Sequence, residues 1–323
     1  DLKTGPGAVV NGENLEATGD VVLNTATVTM GQLKVGGNLT TSGKTKISIT
    51  DDVLNVKGTF TLGKTGLLTI PTGVKDGKVK RLLVTAGAVV IQPTALVDLN
   101  YRGYPTGKTL YPEPKYAAGS RAGGSHAGRG VTGSSSSQFG TTFDDPTWPM
   151  WPGGGGGYGT NNNGYGGGVA QFTVTGNMAV QGTIRVNGQS NAYSGGGAGG
   201  PIAIKANGLS GFGSLQAHGG SGGSVCSKYK KVFPYNCIAY HRCGGGGGGM
   251  IAIVDTSAMA DGFVHAEVHK HAQAYGAKRW DGWRGGHGTI YLRQAGKKYG
   301  DLLVRGSPTV KAVWPTVLQR GPE

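Results

Sequence analysis

The residues best placed to do chemistry form one short run, Phe263-Val264-His265-Ala266-Glu267-Val268-His269-Lys270-His271. Read as a strand, it sets His265, Glu267, His269 and His271 on one face and Val264, Ala266 and Val268 on the other. Imidazole and carboxylate together suit a divalent zinc, copper or nickel ion. Alternate side chains of a flat strand stand roughly 6–7 Å apart, so two adjacent ligands can share one metal and four cannot. The same face equally suits solvent or a contact between subunits. Apart from this divalent metal, no cofactor is expected.

Two catalytic patterns are matched by letter only. Gly58-Thr59-Phe60-Thr61-Leu62-Gly63-Lys64-Thr65 has the spacing of a phosphate-binding loop. That chemistry needs a helix after the loop, whereas Gly66-Leu67-Leu68-Thr69-Ile70-Pro71 reads as a strand ending in proline. Gly-Lys-Thr also recurs at 43–45 and 107–109, so a repeated β-turn is expected. Gly219-Gly220-Ser221-Gly222-Gly223 has the spacing of a nucleophile elbow without its strand-to-helix context. Cleavage of a polysaccharide would need clustered carboxylates. Between Glu113 and Asp255 the only acids are Asp144 and Asp145, and none occurs from 146 to 254. Carboxylates from different coils could still converge, which keeps a polysaccharide lyase or hydrolase as a third alternative. The sequence predicts no enzyme and names no catalytic residue.

Trp148, Trp151, Tyr158, Tyr165, Trp280 and Trp283 suit a joint between subunits or stacking on sugar rings. Cys226, Cys237 and Cys243 lack metal-knuckle spacing, and their odd number leaves one thiol over from a local disulfide. Asn38-Leu39-Thr40 is a glycosylation acceptor pattern. The net charge of +14 favours an anionic polysaccharide or mineral, or simply blunts exposed strand edges. No recognition helix or zinc spacing points to nucleic acid, and no apolar run reaches membrane-spanning length. The chain opens at Asp1 without a leader, as a processed secreted chain would.

The elements that must position these groups are short and β-like. Sixty-four of 323 residues are glycine, gathered in runs such as 153–157, 166–168, 195–197 and 244–249. Glycine loses most freedom on ordering, so such runs must pack backbone against backbone or stay disordered. Only 37% of residues are hydrophobic, which fits a thin repetitive core of Val, Ile, Leu and Ala. Leu33-Lys34-Val35-Gly36-Gly37-Asn38-Leu39-Thr40 aligns with Leu54-Asn55-Val56-Lys57-Gly58-Thr59-Phe60-Thr61 at an offset of 21, the length of one coil of a parallel β-helix. A second series aligns segments 182–188, 213–219 and 262–267, alternating with Pro201-Ile202-Ala203-Ile204, Met250-Ile251-Ala252-Ile253 and Thr289-Ile290-Tyr291-Leu292. The glycine runs would be turns or extended segments like polyproline II. Tyr299-Gly300-Asp301-Leu302-Leu303-Val304 adds one strand. The expected organisation is a solenoid part at 1–100, a Pro/Gly/aromatic-rich excursion or docking arm at 101–166, a glycine-rich β-helix at 167–305, and a cap or contact tail at 306–323.

Gly182-Thr183-Ile184-Arg185-Val186-Asn187-Gly188, the 219–223 stretch and the segment 288–304 resemble glycine-rich right-handed parallel β-helix modules of extracellular surface, adhesin-like and fibre-forming proteins. The resemblance implies an architecture and an extracellular setting and carries over no catalytic residue. The expectation is an all-β, right-handed parallel β-helix (β-solenoid), secreted, forming a structural subunit of a fibre, matrix or appendage with itself as partner. The alternative is a glycan-binding adhesin or phage-type receptor-binding module.

Overall fold

The 21-residue offset is a register: Leu33 pairs with Leu54 and Val35 with Val56, strand parallel to strand. The computed structural model describes residues 1–304 other than 72–73, 76–77, 111–116, 134–137, 160–162, 212, 230–236, 258–269 and 280. It is all-β, and its main sheet is almost wholly parallel.

Successive strands visit three columns in turn, an arrangement compatible with a β-solenoid. The first column stacks Leu2–Thr4, Val21–Asn24, Leu39–Ser42, the second halves of Val53–Leu62 and Leu82–Ile91, Met178–Val180 and Leu209–Ser210. The second column begins with the first halves of Val9–Ala17 and Thr27–Val35. It continues through Lys46–Ile49, Leu67–Thr69, Leu96–Asp98, Thr183–Arg185, Ser214–Gln216 and Ala272–Gln273. The third takes the remaining halves of the long strands, then Ala170–Val174, Pro201–Ala206, Met250–Asp255 and Thr289–Arg293. Pro201, Met250 and Thr289 share one register line, as their sequence alignment predicts. Asp301–Leu303 turns back antiparallel on Thr289–Arg293.

Each column contributes a file of aliphatic side chains to one core. Val21, Leu39, Phe60, Val89, Met178 and Leu209 are consecutive in the first column. Val28, Ile47, Leu68, Val97, Ile184 and Leu215 follow one another in the second. Leu54, Val84, Phe172, Ile204, Ile253 and Leu292 do so in the third. All are buried in a single cluster. Full burial of one such side chain stabilises by about 1.5–3 kcal/mol. Between the third and first columns the chain bends at stacked glycines: Gly58 donates to Gly37 O and Gly176 to Gly87 O. A Cβ on Gly87 would stand 2.5 Å from the Lys57 carbonyl oxygen, which is why the bend takes glycine.

The glycine runs all leave from one corner, between the second and third columns. Residues 99–168, 186–200, 217–249 and 274–288 span that corner at successive levels. Their backbones cross-bond with a three-residue alternation. Gly153 and Gly156 donate to Gly167 and Gly164, Gly154 and Gly157 to Ser125 and Ala122, and Gly155 to Lys108, at 2.7–3.2 Å. Gly195 and Ala198 donate to Gly157 and Gly154, Gly196 and Gly199 to Gly244 and Gly247, Gly197 and Gly200 to Gln189 and Val186. Three directions of bonding, repeating every third residue, is the symmetry of a polyproline II-like helix with three residues per turn. The runs are therefore extended and bonded to one another. A Cβ at Gly156 would overlap the Gly195 carbonyl, so the array excludes side chains from its interior.

The segment 262–267 lies outside the described residues; in the second column the partner of Leu215 is Ala272. The alternating small and polar residues of Ala272-Gln273-Ala274 satisfy the inward pattern as well as the earlier segment does. Among the described residues the excursion adds no strand to the main sheet.

Candidate functional site

Of the expected metal set, His265, Glu267 and His269 lie outside the described residues. His271 is described; it and Lys270 are helical rather than extended, so the single-strand face does not reach His271. Its neighbours in a small apolar recess are Val180, Leu209, Leu215 and Ala272. Among the described residues no three His, Cys, Asp or Glu converge as metal ligands.

Cys243 leaves the disulfide set. It is a free, buried thiol beside the glycine bundle, and burial pushes its pKa up. Its N–H donates to Gly223 O, which ties its backbone to the array. Cys226 and Cys237 stand on the two strands of the hairpin Ser224–Tyr229 and Cys237–Arg242. Their side chains lie outside the description.

The phosphate-loop pattern is a turn. Gly66 N–H donates to Gly63 O across Lys64 and Thr65, Thr65 has φ 61°, and the strand Leu67–Thr69 follows. Gln92 to Ala95 repeats it, with Thr94 at φ 66°. The 219–223 stretch belongs to the glycine bundle: Gly219, Gly220 and Gly222 donate to Tyr275, Gly197 and Lys278. Asn38 is exposed and belongs to a ladder: Asp1 Oδ1 accepts from Asp20 N–H, Asp20 Oδ1 from Asn38 N–H, and Asn38 Oδ1 from Thr59 N–H, at 2.7–3.0 Å.

The aromatic residues have separate supports. Trp151 lies under the Arg81 guanidinium at 4.9 Å. Tyr158 and Tyr165 stand exposed on the glycine bundle, where their carbonyls accept from Arg121 and Gln189. Trp283 is exposed beside Arg279, which clasps Asp281 and holds its carboxyl below the usual range. Trp280 lies outside the described residues.

Trp148 is set differently, because the end of the excursion is pinned by a pair that sequence reasoning missed. His126 and Asp144 are buried together, with Nε2 3.2 Å from Oδ2. The other ring nitrogen, Nδ1, stands 3.1 Å from Gly199 O. Both ring nitrogens therefore face oxygen atoms. Asp144 also accepts from the N–H groups of Asp145, Met150 and Trp151 and closes residues 144–151 into a loop. Gln171 Nε2 then donates to Pro149 O and ties this loop to the third column.

The result is an open groove of about 410 Å³ lined by Thr147, Trp148, Thr173, Lys205, Val254, Tyr291 and Arg293. Thr173, Lys205, Val254 and Arg293 are one register line on the outer face of the third column. Among the described residues neither Lys205 nor Arg293 has an ion-pair partner. Among the described residues no acid lines the groove, and the Asp145 carboxylate is turned to Thr147 N–H and Oγ1 at 2.8 Å each. The only signal for this row in the sequence was the long acid-free stretch.

Scans against protein-family models, curated proteins and solved structures return no match. Among the described residues no helix is long and apolar enough to cross a membrane.

Proposed function

We propose that the chain is a structural subunit of an extracellular fibre, matrix or surface appendage, built as a right-handed β-solenoid whose copies pack on one another. One observation carries this reading: the chain lays a second hydrogen-bonded array, the glycine bundle, alongside its parallel columns. Both arrays satisfy backbone groups by repetition, which suits a stiff rod. The right hand follows from the strong preference of parallel crossovers for it. Several acids serve as structural ties: Asp98 to Arg185, Asp144 to His126, Asp51 to Lys80 and Asp281 to Arg279. That use favours a structural role over acid–base chemistry. Copies packing through non-equivalent faces would extend into filaments.

Negative-stain microscopy over a concentration series tests the reading. Fibres whose number grows with concentration are expected. A particle that stays monomeric at every concentration would reject it. A glycan-binding module is the second reading, and the groove beside Trp148 is the observation that favours it.

A further inference from the structure

We infer that the groove of Trp148, Lys205 and Arg293 is a binding track for a linear acidic polysaccharide, one whose sugars carry carboxylates. This goes beyond the structural reading and stands or falls separately from it.

The argument begins with register. Lys205 and Arg293 are two levels apart on one line, and levels repeat at about 4.8 Å, so the two backbones are roughly 9.6 Å apart. The groove therefore runs along the stacking direction, across the strands. A ligand filling it is extended and presents negative charge at intervals, as a polymer does and a single small anion does not. Val254, between the two cations, gives the floor an apolar patch.

The wall decides the class of polymer. Trp148 lines the wall together with Thr173 and with Thr147, whose hydroxyl donates to Asp145 and can still accept. An aromatic face stacks on the C–H surface of a sugar ring, hydroxyls exchange hydrogen bonds with sugar hydroxyls, and the cations meet carboxylates. The groove is open rather than enclosed, and its volume falls in the range of ligand sites.

The same line continues down the molecule. Thr173 pairs with Thr85, Thr85 with Asn55, and Asn55 with Lys34. Lys34, Asn55 and Lys57 line a second open cleft of about 380 Å³, in which Glu16 is the register neighbour of Lys34 and leaves the lining one positive charge in excess. Two cationic clefts thus sit on one face, joined by a polar row. That spacing favours a chain spanning several levels over a single sugar.

The test uses the whole chain and octagalacturonate, with binding followed by calorimetry at low and physiological salt. Trp148→Ala and the double variant Lys205→Gln/Arg293→Gln are each expected to weaken binding about tenfold or more. The double variant should also flatten the salt dependence. The charge-matched control Lys46→Gln/Lys64→Gln, at exposed turn and strand positions, should bind as the parent does. All five substitutions change exposed or half-buried side chains, and unchanged melting would show the fold intact. A neutral dextran octasaccharide should not bind. The inference is overturned if octagalacturonate does not bind, or if the groove variants bind as well as the control. It is equally overturned if single-stranded DNA or a polyphosphate binds as tightly and Trp148→Ala leaves binding unchanged, since that describes a general anion surface.

Discussion

Asp144 ties the end of the excursion together. It holds a left-handed backbone at φ 83°, faces buried His126 and collects three backbone N–H groups. Leaving a buried hydrogen-bonding group without its partner costs about 1–3 kcal/mol. Asp144→Ala should therefore lower the melting temperature and expose residues 144–151 to limited proteolysis, and Asp144→Asn should recover part of the loss. A variant that melts and resists protease like the parent would show that the pin is idle. The glycines make a second test. Gly156→Ala drives a Cβ into the Gly195 carbonyl and should destabilise by about 1–3 kcal/mol, the usual range for overpacking. Gly5→Ala meets nothing within 4 Å and should be close to neutral in the same thermal melts. The need for glycine was legible in the runs themselves. The bond each one makes was not, since the partners of 153–157 lie at 108, 122, 125, 164 and 167.

Between neighbouring levels, side chains at the corners act as ladders. Asn100 Oδ1 accepts from Asn187 N–H, Asn187 Oδ1 from His218 N–H, and His218 Nδ1 from Tyr275 N–H, at 2.7, 2.7 and 3.2 Å. The Tyr275 ring stacks on His218 at 5.2 Å and meets His287 edge-on at 5.9 Å. As an acceptor at Nδ1, His218 must be neutral with its proton on Nε2. Burial lowers the pKa of His218 from its ordinary 6.5, and burial together with Arg284 lowers that of His287. The unfolded chain then takes up protons that the folded chain refuses, so stability is full above about pH 6.5 and falls as the pH drops below it. Denaturant melts at stepped pH should show this decline. His218→Asn, which supplies the acceptor found at positions 100 and 187, should keep the ladder and reduce the slope. An unchanged slope would move the effect elsewhere. From its type and setting Asn187 suits a tight turn or a ladder between coils, but His218 carries no such signal, because its neighbour in the ladder is 57 residues away.

At the scale of the whole molecule, two arrays share one chain. If the glycine bundle is as ordered as its bonding, the amides of Gly154, Gly196 and Gly247 should resist hydrogen exchange as core amides such as Leu54 and Val84 do. Exchange of these glycines within seconds would mean that the bundle opens independently of the columns. The sheet columns were largely legible beforehand. Leu33 over Leu54, and Pro201 over Met250 over Thr289, follow from local alternation and an ungapped alignment. The segment 262–267 lies outside the described residues, and a pattern of small and polar residues is too permissive to single out one segment, since Ala272–Gln273, which pairs with Leu215–Gln216, satisfies it too. Nor could the groove be read. Its row joins residues 173, 205, 254 and 293, whose spacing depends on the length of each glycine insertion rather than on any repeat.

Local alternation and glycine content alone determine that this chain makes narrow aliphatic rungs and close backbone contacts, because both depend only on which side chains stand two residues apart or are missing. Which insertions share a corner, which amide meets which carbonyl, and that His126 meets Asp144 are decided only by the tertiary structure. Those meetings require distant segments to be brought to the same level, and the levels are set by the columns rather than by distance along the chain.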